Sequence, residues 1–273
     1  MRFIRPIVVA LFAVTCNAAL SHEFWISPEE YQVKLGTSVQ ADLRNGQNFS
    51  GARLPYFDNR IARFEVSDGS SLRPYSGRMG DMPALQLDPP TAGLLIVVHE
   101  TQPDQLTYDN WEDFAKFAAH KDFANIESRH TARNLPREGF VERYTRHAKS
   151  LIAVGAGMGA DRATGLLTEF VALANPYTDD LSQGLPVQLL FKGQPRVDAQ
   201  IEVFDRNPAG EVATILTRTD ADGRAAIAVT SGHTYLLDAV VLEPLKPAAD
   251  SATKAKPIPV WQTHWAALTF AVP

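Results

Sequence analysis

The run Gly93-Leu94-Leu95-Ile96-Val97-Val98-His99 is nearly continuous in apolar residues and ends at a histidine. An apolar run of this length predicts a central β-strand that is buried on both faces. Residues 31–35, 39–43 and 62–66 instead alternate apolar and polar side chains, which is typical of half-buried strands. A buried strand among half-buried strands predicts a mainly β first unit, from residue 22 to about residue 180.

A second group of strands is predicted from residue 186 to residue 273. Residues 187–191 and 199–204 flank a Lys-Gly-Gln-Pro turn, and residues 215–219 and 225–229 flank a turn that contains Asp222-Gly223. Roughly seven short strands at regular spacing are typical of a small antiparallel sandwich. The sequence therefore predicts a mainly β chain of two antiparallel, immunoglobulin-like β-sandwich units, 22–180 and 186–273.

A helical insertion in the first unit is predicted near residues 110–135. Trp111, Phe114 and Phe117 recur at helical spacing, and Asn110 is placed to cap the helix at its N-terminus. The first unit is therefore expected to carry one helical excursion between its strands.

Residues 1–21 have the pattern of a signal peptide. Arg2 and Arg5 precede an apolar stretch, and Ala19-Leu20-Ser21 matches a cleavage site. We predict cleavage after Ser21 and a periplasmic or secreted product that does not span a membrane, since no later stretch approaches the roughly 20 apolar residues that a membrane helix needs. Lipidation at Cys16 is the alternative, although Thr15 makes a poor lipobox.

Composition excludes two classes of site. The formal net charge is −5 and no basic stripe is present, which argues against nucleic acid as a partner. The one cysteine of the chain, Cys16, lies in the predicted leader. Thiolate zinc and iron–sulfur sites are therefore excluded from the processed protein, and imidazole, carboxylate and amine groups remain as metal ligands.

Four of the seven histidines are candidate metal ligands. Cleavage after Ser21 would make His22 the first residue, and its α-amine and ring could then chelate one ion together. His147 lies among cationic residues that favour a neutral imidazole, His99 ends the central strand, and His264 stands between Trp261 and Trp265. The two tryptophans themselves fit core packing better than a carbohydrate platform. His120 and His130, on the helical excursion, are expected to be solvated.

Several motifs together resemble the secreted family known as domain of unknown function 4198. The segments that carry the resemblance are His22–Trp25, Tyr144–Lys149, Glu169–Tyr177, Thr219–Arg224 and Trp265–Phe270. Proteins of that family are often associated with periplasmic nickel or cobalt uptake. The resemblance therefore implies a β-sandwich architecture and a link to metal, and it favours His22 and His147 as ligands. It brings no catalytic residues to transfer.

The sequence supports three hypotheses about function. The first is a periplasmic protein that binds a divalent transition metal (nickel, cobalt or copper) and delivers it to a membrane transporter, without enzymatic activity. The second is a copper enzyme that activates oxygen at a terminal histidine brace. The third is a module for protein or sugar contacts that binds no metal.

Overall fold

The structure is a computed structural model that describes residues 22–67, 71–88, 90–246 and 258–273. The predicted signal peptide, its cleavage after Ser21 and the alternative lipidation at Cys16 all concern positions outside the described residues, apart from His22 itself. The described part of the chain is mainly β, as predicted.

The strands vary from short edge pieces to a central strand of 15 residues. In chain order they are β1 (Glu23–Pro28), β2 (Gln32–Val33), β3 (Val39–Gln47), β4 (Ser50–Leu54), β5 (Ile61–Ser67), β6 (Leu72–Pro74), β7 (Leu85–Leu87), β8 (Gly93–Thr101), β9 (Asp104–Tyr108), β10 (Phe140–Val154), β11 (Thr168–Ala172), β12 (Leu185–Phe191), β13 (Gln194–Pro195), β14 (Gln200–Arg206), β15 (Val212–Arg218), β16 (Arg224–Ile227), β17 (Thr234–Pro244) and β18 (Pro259–Ala271).

Two α-helices lie between β9 and β10, α1 (Trp111–His120) and α2 (Ile126–Thr131), and a single 3-10 turn (Asp58–Arg60) precedes β5. The side chain of Asn110 accepts a hydrogen bond from the backbone N–H of Asp113, so the predicted N-terminal cap is present. Trp111, Phe114 and Phe117 are buried along one side of α1. The helical spacing of these aromatic residues is therefore explained by packing against the sheet.

The central sheet has ten strands, with β10 in the middle. Its main path runs β15-β14-β17-β18-β10-β8-β5-β6, and β2 and β9 also pair with β10. Most neighbours are antiparallel, but β18 and β2 run parallel to β10. Two four-stranded sheets, β1-β3-β4 with β7 and β11-β12-β13 with β16, complete the described strands.

The two predicted units share the central sheet. β10 belongs to the predicted first unit and β18 to the second, yet they pair in parallel over residues 141–150 and 259–269. Both strands are buried along almost their whole length, which is the environment in which parallel pairing occurs. One continuous sheet therefore contains strands from both sides of the predicted boundary at residues 180–186.

The central sheet has two covered faces, which we call the first face and the second face. On the first face, Leu95 and Val97 pack in one apolar core with Trp25 of β1. On the second face, Leu94 and Ile96 pack in another core with strands β11 and β12. Successive side chains of a strand point to opposite sides, so β8 and β10 contribute alternate residues to the two cores. A third core joins α1 and α2 to Trp261 and Trp265 of β18.

Candidate functional site

His147 lies on the second face of the central sheet and its ring is completely buried. Its Nδ1 is 3.1 Å from the backbone oxygen of Trp265, so this nitrogen carries the proton and donates it to the carbonyl in the neutral imidazole. The other nitrogen, Nε2, has no hydrogen-bond partner and lies 3.6 Å from Oε1 of Glu100. This second ring nitrogen therefore faces a carboxylate, and the interaction with His147 lowers the pKa of Glu100.

His264 lies beside His147 on the same face, with the two ring centroids 5.9 Å apart. Its Nε2 is 3.5 Å from Oε2 of Glu243, and its Nδ1 has no hydrogen-bond partner. Burial, followed by the neighbouring His147, lowers the pKa of His264 to about 4. The ring is therefore neutral near pH 7 and able to bind a metal. We call His147, His264, Glu100 and Glu243 the histidine–glutamate cluster.

Strand register explains how this cluster forms. In the parallel pair of β10 and β18, Thr145 lies opposite His264 and His147 lies opposite Ala266. Thr145 and His147 are two residues apart, so their side chains share a face and His264 reaches His147 diagonally. Glu243 comes from β17, the other neighbour of β18.

The cluster offers two imidazoles and two carboxylates, a donor set that suits divalent transition metals. The side chains of Glu100 and Glu243 are 24% and 33% exposed, so the cluster is open to solvent on the carboxylate side. Lys192 contacts Glu243 at 2.6 Å and holds that carboxylate at the edge of the cluster.

His99 lies on the opposite face. It packs against Phe24 and Phe64, with ring centroids 5.0 and 5.1 Å away, and neither of its nitrogens has a hydrogen-bond partner. Burial lowers its pKa to about 3. His99 thus lies on β8, the strand next to the one that carries His147, but its ring faces away from His147.

His22 is exposed and is the first described residue. Its backbone oxygen accepts a hydrogen bond of 2.9 Å from Nη2 of Arg146. Arg146 precedes His147 on β10 and lines a cavity with His99, so it points to the first face. The structure therefore brings together two of the four predicted ligands, His147 and His264, and places the backbone of His22 and the ring of His99 on the other face.

A second group of charged side chains, which the sequence analysis missed, lies near α1. Nζ of Lys121 contacts Glu23 at 3.4 Å, Glu202 at 2.9 Å and Asp238 at 3.0 Å, and all four side chains are at most 5% exposed. We call these four residues the lysine cluster. The three carboxylates offer oxygens within 4.8 Å of one another, but the ammonium group of Lys121 already supplies the cation between them.

Burial and the attraction between the four groups shift the pKa values in the lysine cluster. It raises the pKa of Asp238 to about 7 and also raises the pKa of Glu23, although Lys121 opposes both shifts. Glu23 Oε2 and Asp238 Oδ1 have no hydrogen-bond partner, which is consistent with both shifts. The pKa of Lys121 is raised, because attraction to the three carboxylates outweighs its burial.

A signal for this cluster was present in the sequence. Glu202 stands between Ile201 and Val203, and Asp238 follows Leu237, so each acid interrupts an apolar stretch of a strand. A charged residue in such a position is buried only when it is paired. Finding the partner needs the fold, because Lys121 is 81 residues from Glu202 and 117 from Asp238.

The expectation that His120 and His130 are both solvated is wrong for His130. The side chain of His120 is 60% exposed and lies 3.1 Å from Glu202. His130 is only 1% exposed, and it accepts a hydrogen bond from Nε1 of Trp261 while its Nε2 lies 2.9 Å from the oxygen of Pro136. With its polar atoms partnered in this way, the ring packs in the third core. Trp261 and Trp265 are buried there, as predicted for core residues.

The family model described as domain of unknown function (DUF4198) matches residues 19–243. The chain belongs to this family. The matched range contains His22, His99, Glu100, His147 and Glu243, whereas His264 follows its end. Thus β18, which supplies one imidazole of the histidine–glutamate cluster, lies outside the matched range.

No curated protein matches the chain. Among solved structures, the chain is similar to a "tetra-tandem repeat in extending region of large adhesion protein", with 11% identity and a TM-score of 0.22. The similarity covers 91% of this chain and 49% of that protein, so the chain spans about half its length. In the described residues, no helix is long and apolar enough to cross a membrane.

Proposed function

We propose that this protein binds one divalent transition metal ion, nickel, cobalt or copper, at the histidine–glutamate cluster, and that it serves metal uptake or delivery in the periplasm. The observation that carries the proposal is the position of His147 Nε2, which is buried, has no hydrogen-bond partner and lies 3.6 Å from a carboxylate oxygen. A ring nitrogen left bare in this way is available to a cation.

The hydrogen bonding of His147 supports this role. Histidine ligands usually donate their second ring N–H to a carbonyl or carboxylate, which orients the ring and fixes its tautomer. Nδ1 of His147 has such a partner in the backbone oxygen of Trp265. The remaining lone pair on Nε2 and the negative charge of Glu100 repel each other unless a proton or a metal ion lies between them.

The other members of the cluster would supply further ligands. His264 supplies a second neutral imidazole, since its pKa of about 4 keeps it unprotonated at neutral pH. Glu100 supplies a carboxylate, and Glu243 is close enough to His264 to take part or to orient it. For such nitrogen and oxygen ligands, affinity is expected to rise from cobalt to nickel to copper.

Delivery to a membrane transporter requires that the ion can leave. The two carboxylates are the exposed part of the cluster, so a partner could take up the ion from that side. The proposal does not depend on cleavage after Ser21, because it does not use the α-amine of His22.

The test is a metal titration of the protein that begins at His22, prepared free of metal. We expect one equivalent of Ni²⁺, Co²⁺ or Cu²⁺ to bind in a competition assay with a chromogenic chelator. His147→Asn should weaken binding about 100-fold and His264→Asn about tenfold, because each removes a ligand.

His233→Asn is the matched control. His233 also lies beside a carboxylate, with Nδ1 2.6 Å from Oδ1 of Asp205, but it is outside the cluster. Its loss should leave the affinity within about twofold, since the two sites share no partner. Binding of no metal by the parent protein, or equal affinities of the folded His147→Asn and parent proteins, would overturn the proposal. Circular dichroism establishes that each variant is folded.

A further inference from the structure

A cavity of about 380 Å³ opens on the first face of the central sheet, away from the histidine–glutamate cluster. Part of its wall is apolar, with Phe24, Phe57 and Ile61 among the lining residues. Arg146 and His99 also line it and supply polar groups. This size and this mixture of apolar wall and few polar groups are typical of small-molecule sites.

Arg146 brings a guanidinium without a directly paired carboxylate to the cavity. It is only 7% exposed, and its guanidinium stacks over the ring of Tyr144 at 4.4 Å. Its guanidinium donates hydrogen bonds to the backbone oxygen of His22, and in the described ranges no carboxylate forms an ion pair with it. Glu142, on the same side of β10, is close enough for Arg146 to lower its pKa, but its hydrogen bonds come from Tyr108 and Thr263. A nearly buried guanidinium without a directly paired carboxylate is costly, and a bound anion would offset that cost.

His99 brings unpartnered polar atoms to the same cavity. The residue is 2% exposed, and neither Nδ1 nor Nε2 makes a hydrogen bond. An imidazole ring offers one N–H donor and one acceptor nitrogen in its uncharged form. Buried polar groups are normally hydrogen-bonded, so this ring lacks a partner that a ligand could supply.

We propose that this cavity binds a small organic acid with an apolar body, whose carboxylate pairs with Arg146 and whose neighbouring hydroxyl or amino group bonds to His99. A planar guanidinium recognises a carboxylate through paired hydrogen bonds, which a point charge does not. The aromatic and aliphatic wall receives the rest of the ligand. The exposed residues Arg60 and Asp104, which also line the cavity, carry opposite charges.

The site is independent of the proposed metal site. His147 and Arg146 are neighbours in the chain but point to opposite faces of β10, so the two ligands would be separated by the sheet. A protein that binds no metal would therefore not contradict the proposed binding of an organic acid, and a protein that binds no organic acid would not contradict the proposed metal site.

The probe is 3-phenyllactate, which carries a carboxylate, an adjacent hydroxyl and a phenyl ring. Its matched control is 3-phenylpropane-1,2-diol, in which a hydroxymethyl group replaces the carboxylate. We expect the acid to bind the metal-free protein with one-to-one stoichiometry in calorimetry or ligand-observed NMR. The diol should bind at least tenfold more weakly. Equal binding of the two compounds, or no binding of the acid at millimolar concentration, would overturn the proposal.

Variants of residues that line the cavity test whether the acid binds there. Arg146→Gln should weaken binding of the acid at least tenfold and abolish the preference over the diol. His99→Phe keeps a ring against Phe24 and Phe64 and so preserves the packing, but it removes both nitrogens and should weaken binding about fivefold or more. Arg78→Gln, which changes an arginine whose side chain is 86% exposed, is the control and should bind as the parent does. Parent-like binding by both folded cavity variants would contradict the proposed site.

Discussion

The lysine cluster and the histidine–glutamate cluster both place charged or polar side chains inside a β protein, but they differ in what completes them. In the first, Lys121 lies within 3.4 Å of an oxygen from each of three carboxylates. In the second, His147 Nε2 and His264 Nδ1 have no hydrogen-bond partner. Carboxylate oxygens lie 3.6 Å from His147 Nε2 and 3.5 Å from His264 Nε2. The first region carries its own cation between its acids, and no lysine or arginine pairs with the histidines of the second among the described residues.

The largest expected effect concerns the lysine cluster. Lys121→Met should lower the free energy of unfolding by about 3–5 kcal/mol at pH 7, because it leaves three buried carboxylates without a cation. Denaturant unfolding measures the loss. Lys116→Met is the control on the same helix, since its side chain is 70% exposed, and it should change stability by less than about 0.5 kcal/mol. A loss below about 1 kcal/mol for Lys121→Met would show that this cluster is not a structural ion network.

A smaller effect is expected from occupation of the histidine–glutamate cluster. Free Ni²⁺ at about 100 times its dissociation constant should raise the free energy of unfolding by about 2.7 kcal/mol, because only the folded state holds the site. His147→Asn should abolish this increase, and His233→Asn should retain it. Chelation with EDTA should return the parent protein to its metal-free stability. An undiminished increase in His147→Asn would place the ion elsewhere.

The two regions should also respond to pH in opposite directions. Asp238 has a pKa of about 7 in the folded protein, above the ordinary value of 3.8, so its contribution to stability is lost as the pH rises from about 4 to 7. His264 has a pKa of about 4, below the ordinary 6.5, so its contribution is lost as the pH falls from about 6.5 to 4.

Each contribution is at most about 1.4 kcal/mol per pH unit in its window. Asp238→Asn should reduce the decline towards neutral pH, to which Glu23 also contributes. His264→Gln should reduce the decline towards acid pH, to which His99 also contributes. Both are measured by unfolding of metal-free protein from pH 4 to pH 7.5. Identical pH profiles of a variant and the parent protein would refute the corresponding assignment.

The smallest effect is expected at the N-terminus. One extra alanine before His22 should change nickel affinity by less than about twofold, because the proposed ligands lie on the opposite face of the sheet. Competition titration of the extended and unextended proteins measures the difference. A loss of tenfold or more would identify the α-amine of His22 as a ligand and would favour the terminal chelate predicted from the sequence.

Local patterns predicted much of the fold. The apolar run at 93–99 lies in β8, and the spacing of aromatic residues after Asn110 corresponds to α1 with its cap. Such features depend on neighbouring residues and are therefore readable from one segment. The parallel pairing of β10 with β18 cannot be predicted from one segment, because it joins residues more than 110 positions apart.

For the candidate sites too, some features could be predicted from the sequence and others depend on the fold. Chemistry alone made His147 and His264 candidate ligands, and the structure places them side by side. The sequence could not show that His99 faces away from them, since one residue of strand register decides the face. It also could not pair Lys121 with its acids, which come from three different strands. Burial of His130 was missed because its partner, Trp261, lies 131 residues away.

The parallel pair of β10 and β18 has a consequence for how the protein is made. β18 follows the other described strands in chain order, yet it fills the position between β10 and β17 in the middle of the central sheet. A chain that stops before Pro259 would leave two open strand edges flanked by apolar faces, which is a template for aggregation. The nascent protein therefore cannot close its sheet until β18 has been synthesised, and a product truncated before β18 would be exposed to proteases and chaperones.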